Sequence, residues 1–314
     1  MTTTTSSAPG KTGVDAAGKQ RANRAQRKDT IFAFSFLAPQ LLGLIVFLLG
    51  PLVFAFALAF MKWDGFGTQE FVGLGNLQWV FTDPQMLTSL ANTLWFTVLQ
   101  VPGLLVSGFM AALLLQVTRK ARNFYRVFYF APVITSSVAV SAIWLWLLNP
   151  ELSPINPVFK AVGITPPDWL QNPTTIIPVL VFVSIWQGMG YQMVMFMAGL
   201  ENVPGSLMEA ADIDGASQLQ KLFRITIPLL SPTILFLSIT TIIGSFQVFD
   251  YIYVFYDTTA PASARTIVYE IVQITFKELD FGRGAAIALV LFLILLAVTG
   301  LQMVAQKRWV HYTE

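Results

Sequence analysis

Residues 284–305 read GAAIALVLFLILLAVTGLQMVA, a stretch without a single charged side chain. A helix that crosses a bilayer needs about 20 mostly apolar residues, so this segment is long enough to span one. Comparable apolar stretches occur earlier in the chain, at 31–61, 88–117, 127–149, 175–200 and 226–250. The sequence therefore predicts an all-α integral membrane protein with about six transmembrane helices.

The composition supports a membrane location. Hydrophobic residues make up 55% of the chain and charged residues only 11%, whereas about a quarter of a soluble domain is charged. The net charge of +2 gives no reason to expect a nucleic acid as partner. The chain has no cysteine, which excludes disulfides, thiolate metal sites and cysteine catalysis.

The N-terminal segment differs from the rest of the chain. Residues 1–29 are rich in Thr, Ser, Ala, Lys and Arg, and we expect them to form a disordered basic tail in the cytoplasm. The apolar run that follows, 31–61, is longer than the roughly 7–15 residues of a signal-peptide core. It is therefore predicted to stay in the membrane.

The distribution of Lys and Arg predicts the orientation. If the N-terminus is cytoplasmic, all but five of the 19 basic residues fall before the first span, in the even-numbered connections or after the last span. The five on the other side are Lys62, Lys160, Arg265, Lys277 and Arg283. Positive charges concentrate on the cytoplasmic side of membrane proteins, so both termini are predicted to be cytoplasmic.

The six predicted spans have no Lys, Arg, Asp or Glu in their interiors, and Asp250 stands at the end of the fifth. Ion-coupled transporters keep ionisable groups in the membrane despite their cost, so this chain is expected to take its energy from elsewhere. The triplet Gly10-Lys11-Thr12 lacks the earlier glycine and the preceding strand of a phosphate-binding loop. We therefore expect that any ATP is bound by another subunit.

The connection between the fourth and fifth spans, 201–225, carries the most specific local signals. Ser206 and Glu209 have capping-box spacing, so a short helix is predicted to begin near Leu207. Gly215 can adopt a left-handed conformation and end that helix. Ser217 and Gln220 repeat the capping spacing and predict a second helix, which reaches the membrane near Pro228. An ordinary connection between two spans is the alternative interpretation.

This loop resembles the EAA motif of ABC-importer permeases, which is Glu-Ala-Ala, three residues, Gly, nine residues, Ile, one residue and Leu-Pro. Matching residues are Glu209, Ala210, Ala211, Gly215, Ile225 and Pro228, with Ile227 in place of the usual Leu. Further similarity, which covers nearly the whole chain, is to the carbohydrate branch of maltose and glycerol-3-phosphate type. One departure is Thr259-Ala260-Pro261, where the family often has Gly-Gly-Pro.

The resemblance implies a type I ABC-importer transmembrane fold, with 30–314 as the permease domain in a bacterial inner (plasma) membrane. In that family the loop is a coupling helix that docks into an ATPase subunit. The implied coupling residues are Glu209, Ala210, Ala211, Asp214, Gly215, Ala216, Ile225 and Pro228. The implied partners are a second permease, two ATPases that hold ATP and Mg, and an external solute-binding protein. This chain is expected to bind no cofactor and to catalyse no reaction.

Polar residues on two spans form a candidate path for a sugar, which proteins recognise by hydrogen bonds and by stacking on aromatic rings. On the fourth span Gln187 and Tyr191 share a face, and on the fifth span Gln247, Asp250 and Tyr251 do the same. Gly188 and Gln192 lie beside the first pair, and Gly188 and Tyr191 fall where the maltose-permease family places substrate contacts. Hydrogen bonding between helices is the alternative role for these polar groups.

Two alternatives to an importer subunit follow from the sequence. A secondary transporter or channel that works alone is disfavoured by the uncharged spans and by the coupling loop. A membrane-bound enzyme is disfavoured because no metal-binding or nucleophilic constellation is present. The substrate itself is left open between polyol phosphates and disaccharides.

Overall fold

A computed structural model describes residues 32, 34–117, 122–163, 165, 167–308 and 310. The predicted tail, 1–29, lies outside these residues. The chain divides into two compact units, Met1–Ala57 and Leu58–Glu314. All but the last residue of one long helix, α1 (Phe34–Leu58), belongs to the first unit, and this helix is apolar and exposed along most of its length.

The second unit is helical apart from one short hairpin, β1 (Met61–Lys62) and β2 (Glu70–Phe71). The helices that follow the hairpin up to the coupling loop are α2 (Gly75–Thr82), α3 (Pro84–Val117), α4 (Arg122–Ile134), α5 (Ser137–Leu147), α6 (Asn156–Ala161) and α7 (Ile176–Glu201). The remaining helices are α8 (Gly205–Ile213), α9 (Gln218–Lys221), α10 (Ile227–Leu229), α11 (Ser231–Phe246), α12 (Asp250–Tyr256), α13 (Ile267–Val272) and α14 (Phe281–Ala305).

Among the described residues, five helices are long and apolar enough to cross a membrane, or six if one bent pair counts as a span. The predicted all-α membrane fold is therefore confirmed. Many large side chains on these helices face outward, such as Val98, Met110, Leu301 and Val304. In a bilayer the hydrocarbon chains of lipid would cover such side chains at no hydrophobic cost.

The predicted span over 127–149 consists of two helices with a sharp bend between them. Helices α4 and α5 meet at an angle of 97°. Ser136 adopts an extended conformation between them, with φ −56° and ψ 134°. The break leaves the carbonyl of Thr135 outside a regular helix, and it accepts a hydrogen bond of 3.0 Å from the Gln187 side chain. Irregular backbone at membrane depth needs a partner of this kind within the protein.

The fifth predicted span, 226–250, is also interrupted. Helix α11 ends at Phe246, and α12 begins only at Asp250 after three residues outside a regular helix. Phe249 has φ −143° and ψ −51°, which no helix allows. The turn brings Gln247 and Asp250 to the exposed side of the bend.

Helix α7 is the centre of the second unit, since it packs against α3 and α4. Two glycines make this packing close. A Cβ at Gly108 of α3 would lie 2.3 Å from the Cβ of Gln192, and a Cβ at Gly190 would lie 2.2 Å from the carbonyl oxygen of Tyr129 on α4. Small residues allow membrane helices to approach at such distances.

Candidate functional site

A cavity of about 450 Å³ lies among α3, α5, α7, α11 and α12. It is lined by all the residues that the sequence predicts for a sugar path, namely Gln187, Gly188, Tyr191, Gln192, Gln247, Asp250 and Tyr251. Further polar lining comes from residues that the sequence analysis did not select, namely Gln100, Ser137, Ser184, Thr240, Thr241 and Ser245. The interruptions of both helical spans lie at this cavity, so the breaks in the backbone shape it.

Gln187 is buried and already engaged in two hydrogen bonds. Its amide nitrogen donates to the Thr135 carbonyl, and its amide oxygen accepts a bond of 2.7 Å from the Tyr251 hydroxyl. The side chain thus ties α7 to the broken end of α4 and to α12. These contacts match the alternative role given above for intramembrane polar groups, which is to join helices.

Two further glutamines have amide oxygens without a hydrogen-bond partner among the described residues. The nitrogen of Gln192 donates to the Thr241 hydroxyl at 2.9 Å, and that of Gln100 donates to Ser184. The Oε1 atoms of both side chains are buried and unpaired within the described part of the chain. These amide groups thus join helices through their nitrogens, and their oxygens lie inside the protein out of reach of a solute in the cavity.

Tyr191, Gln247 and Asp250 are the exposed members of the predicted set. The side chain of Tyr191 is 40% exposed. Asp250 is exposed at the first residue of α12, and its carboxylate accepts a hydrogen bond from the Ser137 hydroxyl. Gly188 packs closely against α3 at the cavity wall, since a Cβ there would lie 3.0 Å from a methyl carbon of Leu104.

The loop between α7 and α11 contains the predicted bend. Gly215 has φ +72°, as expected for a left-handed residue at the end of a helix. The N–H of Ala216 donates to the Ala211 carbonyl at 2.9 Å, and that of Gly215 donates to the Asp212 carbonyl at 3.1 Å. These two bonds form a Schellman motif, which satisfies the last carbonyls of α8.

The capping predictions for this loop have different outcomes. Helix α8 begins at Gly205 with Pro204 as its N-cap and no side-chain capping bond, so the predicted Ser206–Glu209 box is wrong. Proline fixes its own backbone angle, and here the chain enters the helix without a side-chain cap. The second box is confirmed, because Ser217 and Gln220 exchange hydrogen bonds at the start of α9.

The predicted coupling residues divide into an exposed and an inner group. Glu209, Ala210, Asp214 and Gly215 are exposed, whereas Ala211 is only 8% exposed. Ala216, Ile225 and Pro228 are half-buried, the last in α10 at the start of the next span. The exposed side of the loop thus combines acidic side chains with large apolar ones, since Ile213 is 87% and Leu219 67% exposed.

Sequence reasoning missed an ion pair inside this loop. Lys221 of α9 is only 3% exposed, and its ammonium group contacts the Asp212 carboxylate of α8. The pair spans the bend at Gly215 and joins the two short helices. In the sequence, the only sign of this ion pair is a lysine in the last turn before an apolar span.

Sequence reasoning also missed Glu270, which is fully buried in α13. Its carboxylate accepts from the Gln85 amide at 3.0 and 3.1 Å and from the Ser89 hydroxyl at 3.1 Å, and Arg265 lies 3.6 Å away. Burial raises the pKa of the Glu270 carboxyl, against the lowering effects of the Gln85 hydrogen bonds and of the Arg265 charge. A lone Glu within the apolar segment 267–272 was the signal in the sequence.

Arg265 connects this cluster to the segment that departs from the family pattern. Its Nε donates to the Ala260 carbonyl at 2.7 Å. The Tyr269 hydroxyl donates to the Asp257 carbonyl at 2.7 Å, and the Ala260 side chain is only 1% exposed. Thr259-Ala260-Pro261 therefore belongs to a packed turn in this protein.

Comparison with known proteins agrees with this fold. Residues 103–311 match the family described as binding-protein-dependent transport system inner membrane component. The chain belongs to this family, and it is a multi-pass permease component of an ABC transporter. The family is a transport component and not a catalytic one, which agrees with the expectation that the chain is not itself an enzyme.

Individual relatives make the assignment more specific. The chain is 32% identical to the probable ABC transporter permease protein YesP of Bacillus subtilis strain 168, over 96% of this chain and 97% of YesP. It is 33% identical to the arabinooligosaccharides transport system permease protein AraP of the same strain, over 85% of each chain. The resemblance to carbohydrate-importer permeases is therefore confirmed.

A solved structure shows the same fold. A chain of a bacterial ABC transporter involved in the import of the acidic polysaccharide alginate matches with a TM-score of 0.81 and 21% identity. The match covers 92% of the present chain and 99% of that chain. The type I ABC-importer transmembrane fold is thus established.

Proposed function

We propose that this chain is the permease subunit of a bacterial ABC importer for a sugar or sugar-like solute. An external binding protein delivers the solute, and ATP with Mg is hydrolysed on two separate ATPase subunits. A second, similar permease completes the pathway through the membrane. Both termini face the cytoplasm in this proposal, and the present chain binds no cofactor.

The observation that carries the proposal is the polar cavity between α7 and the interrupted fifth span. Its wall offers amides, hydroxyls and two tyrosines within a protein whose spans are otherwise apolar. A sugar hydroxyl both donates and accepts hydrogen bonds, so such a wall can replace the water that surrounds a sugar. The tyrosine rings can stack on the apolar faces of the sugar.

The loop at Gly215 is the second part of the proposal. Two short helices at a sharp bend expose the carboxylates of Glu209 and Asp214 together with the small Ala210 and the apolar side chain of Ile213. Small side chains allow another subunit to approach closely, and the carboxylates can meet basic groups on it. Movement of the docked ATPases would then move the spans as rigid bodies and open the cavity to alternate sides.

A transporter or channel that works alone is the weaker alternative. In the described part of the chain, Asp250 is the single charged residue among those that line the cavity. Ion-coupled transport usually depends on several such groups within the membrane. An external energy source, supplied through the loop, fits this arrangement better.

The test of the coupling role uses Gly215→Val in the complete transporter. A Cβ at Gly215 would meet nothing within 4 Å, so the substitution causes no clash within the chain. The left-handed backbone costs a β-branched residue about 1–2 kcal/mol. We expect normal membrane insertion but loss of uptake, with the ATPase subunits either detached or active without regard to substrate. Co-purification of the ATPase and uptake into vesicles are measured together.

Gly215→Asn is the matched control, because asparagine tolerates the left-handed conformation that valine disfavours. This variant is expected to retain ATPase association. If Gly215→Val keeps both full association and full uptake, the loop is only a connector and the coupling role is wrong.

A further inference from the structure

We propose that the cavity accepts neutral polyhydroxylated solutes and rejects anionic ones, such as sugar phosphates and uronates, and that Asp250 enforces this selection. The inference rests on the proposed function, in which the cavity is the path of a sugar. It narrows the range of substrates, which the sequence alone left open between polyol phosphates and disaccharides.

The charge of the cavity wall is the first argument. Asp250 is the single charged residue that lines the cavity, and none of the lining residues in the described part of the chain is Lys, Arg or His. Proteins hold phosphates and carboxylates with Arg or Lys side chains, because charge-assisted hydrogen bonds offset the loss of hydration. An anionic solute would find no such partner in this wall.

The position of Asp250 is the second argument. It is the first residue of α12, and it accepts a hydrogen bond from Ser137, the first residue of α5. This bond holds the Asp250 carboxylate at the cavity wall, where a solute that enters meets its negative charge.

Repulsion by Asp250 gives the expected size of the effect. Two like charges several ångströms apart in a protein-like dielectric weaken binding by about 10- to 100-fold. We therefore expect an anionic sugar to bind at least about 10-fold more weakly than its neutral counterpart of equal size.

The test measures binding to the complete membrane complex in lipid nanodiscs without the external binding protein, so that only the selectivity of the membrane subunits is recorded. Saturation-transfer NMR suits weak binding. The probes are matched pairs of a neutral sugar and its anionic derivative. The neutral sugars are pentoses and hexoses of one to three units. Each is paired with its phosphate (on C5 of a pentose or C6 of a hexose) or with its uronate form. Glycerol and glycerol 3-phosphate form a further pair.

The wild type is expected to bind neutral members and to bind their anionic partners at least about 10-fold more weakly. Asp250→Asn keeps an acceptor for Ser137 but removes the charge, so it should retain neutral binding and gain anion binding by about 10-fold or more. Glu151→Gln, an exposed carboxylate outside the cavity, is the control and should behave as wild type. Retained binding of neutral sugars shows that the variant is folded.

Equal binding of both members of a pair by the wild type overturns the charge selection and leaves the sugar path intact. Continued exclusion of anions by Asp250→Asn overturns the role of Asp250. If neither class binds, the cavity is not the sugar path and this inference is wrong. The proposed role as an importer subunit is then still judged separately by the coupling of Gly215→Val.

Discussion

The amide of Gln187 joins three elements at the cavity, since it bonds the free carbonyl of Thr135 and the hydroxyl of Tyr251. Tyr191, one helical turn away on α7, is 40% exposed instead. Substitutions of these two neighbouring residues on one helix face are therefore expected to have different effects. Loss of Gln187 would disturb the packing of the broken spans, whereas loss of Tyr191 would remove only a surface that a solute can contact.

Glu270 is the residue for which a pH dependence is expected. Burial raises the pKa of its carboxyl above the ordinary value of 4.5, so the folded state favours the protonated form. The protonated Glu270 therefore contributes fully to the free energy of unfolding at a pH below the ordinary pKa. This contribution is lost as the pH rises through the raised pKa of the folded state. Glu270→Gln removes this titration. We expect the wild type to lose more thermal stability between pH 5 and pH 7.5 than the variant, by at least about 2 °C.

The measurement is thermal unfolding of the purified protein in detergent at both pH values. Glu278→Gln, which changes an exposed carboxylate outside the cluster, is the control and should keep the wild-type pH dependence. An identical pH dependence in Glu270→Gln and the wild type would contradict the assignment of this titration to Glu270.

At the scale of elements, both interrupted spans owe their shape to partners elsewhere in the chain. The break between α4 and α5 is satisfied by α7, and the turn between α11 and α12 places Asp250 beside α5. The loop of α8 and α9 is different, because its bend depends on local bonds around Gly215. It has one additional tie, the ion pair of Lys221 with Asp212.

This ion pair predicts an asymmetric response to substitution. The side chain of Asp212 is 63% exposed and that of Lys221 only 4%. Asp212→Asn leaves a buried ammonium group without its counter-ion, whereas Lys221→Met leaves a carboxylate that water can reach. Loss of a hydrogen bond to a charged group costs about 1.5–3 kcal/mol. We therefore expect Asp212→Asn to loosen the loop more than Lys221→Met does.

Hydrogen exchange of the amides over 205–221 measures the loosening, and co-purification of the ATPase measures its consequence. The double variant Asp212→Asn/Lys221→Met should recover part of the protection that Asp212→Asn loses, because the two sites interact. Equal effects of both single variants, without recovery in the double variant, would show that the pair does not hold the loop.

At the scale of the whole molecule, the orientation of the chain in the membrane can be tested. The chain has no cysteine, so single-cysteine variants carry no background. Glu151 follows α5 and Gln218 begins α9, and both are exposed. If both termini are cytoplasmic, a membrane-impermeant maleimide should label Glu151→Cys in spheroplasts and should not label Gln218→Cys. Gln218→Cys should become labelled after solubilisation in detergent, and the reverse pattern would invert the proposed orientation.

The sequence by itself determined the membrane class, the approximate positions of the spans and the bend at Gly215. These properties depend on the local composition of the chain, since a bilayer selects any apolar segment of sufficient length and a left-handed turn selects glycine. The pair Ser217 and Gln220 could be predicted for the same reason, because both bonds close within one turn. The candidate cavity residues could be selected as polar groups on shared helix faces, but their partners could not.

Only the tertiary structure decided where the spans break and which polar groups meet. Gln187 bonds Tyr251, 64 positions along the chain, and Glu270 bonds Gln85 and Ser89, 185 and 181 positions away. No local pattern specifies such pairs, because they form only when distant helices pack. Burial gives these contacts their importance, since a polar group in an apolar interior must find a partner within the protein.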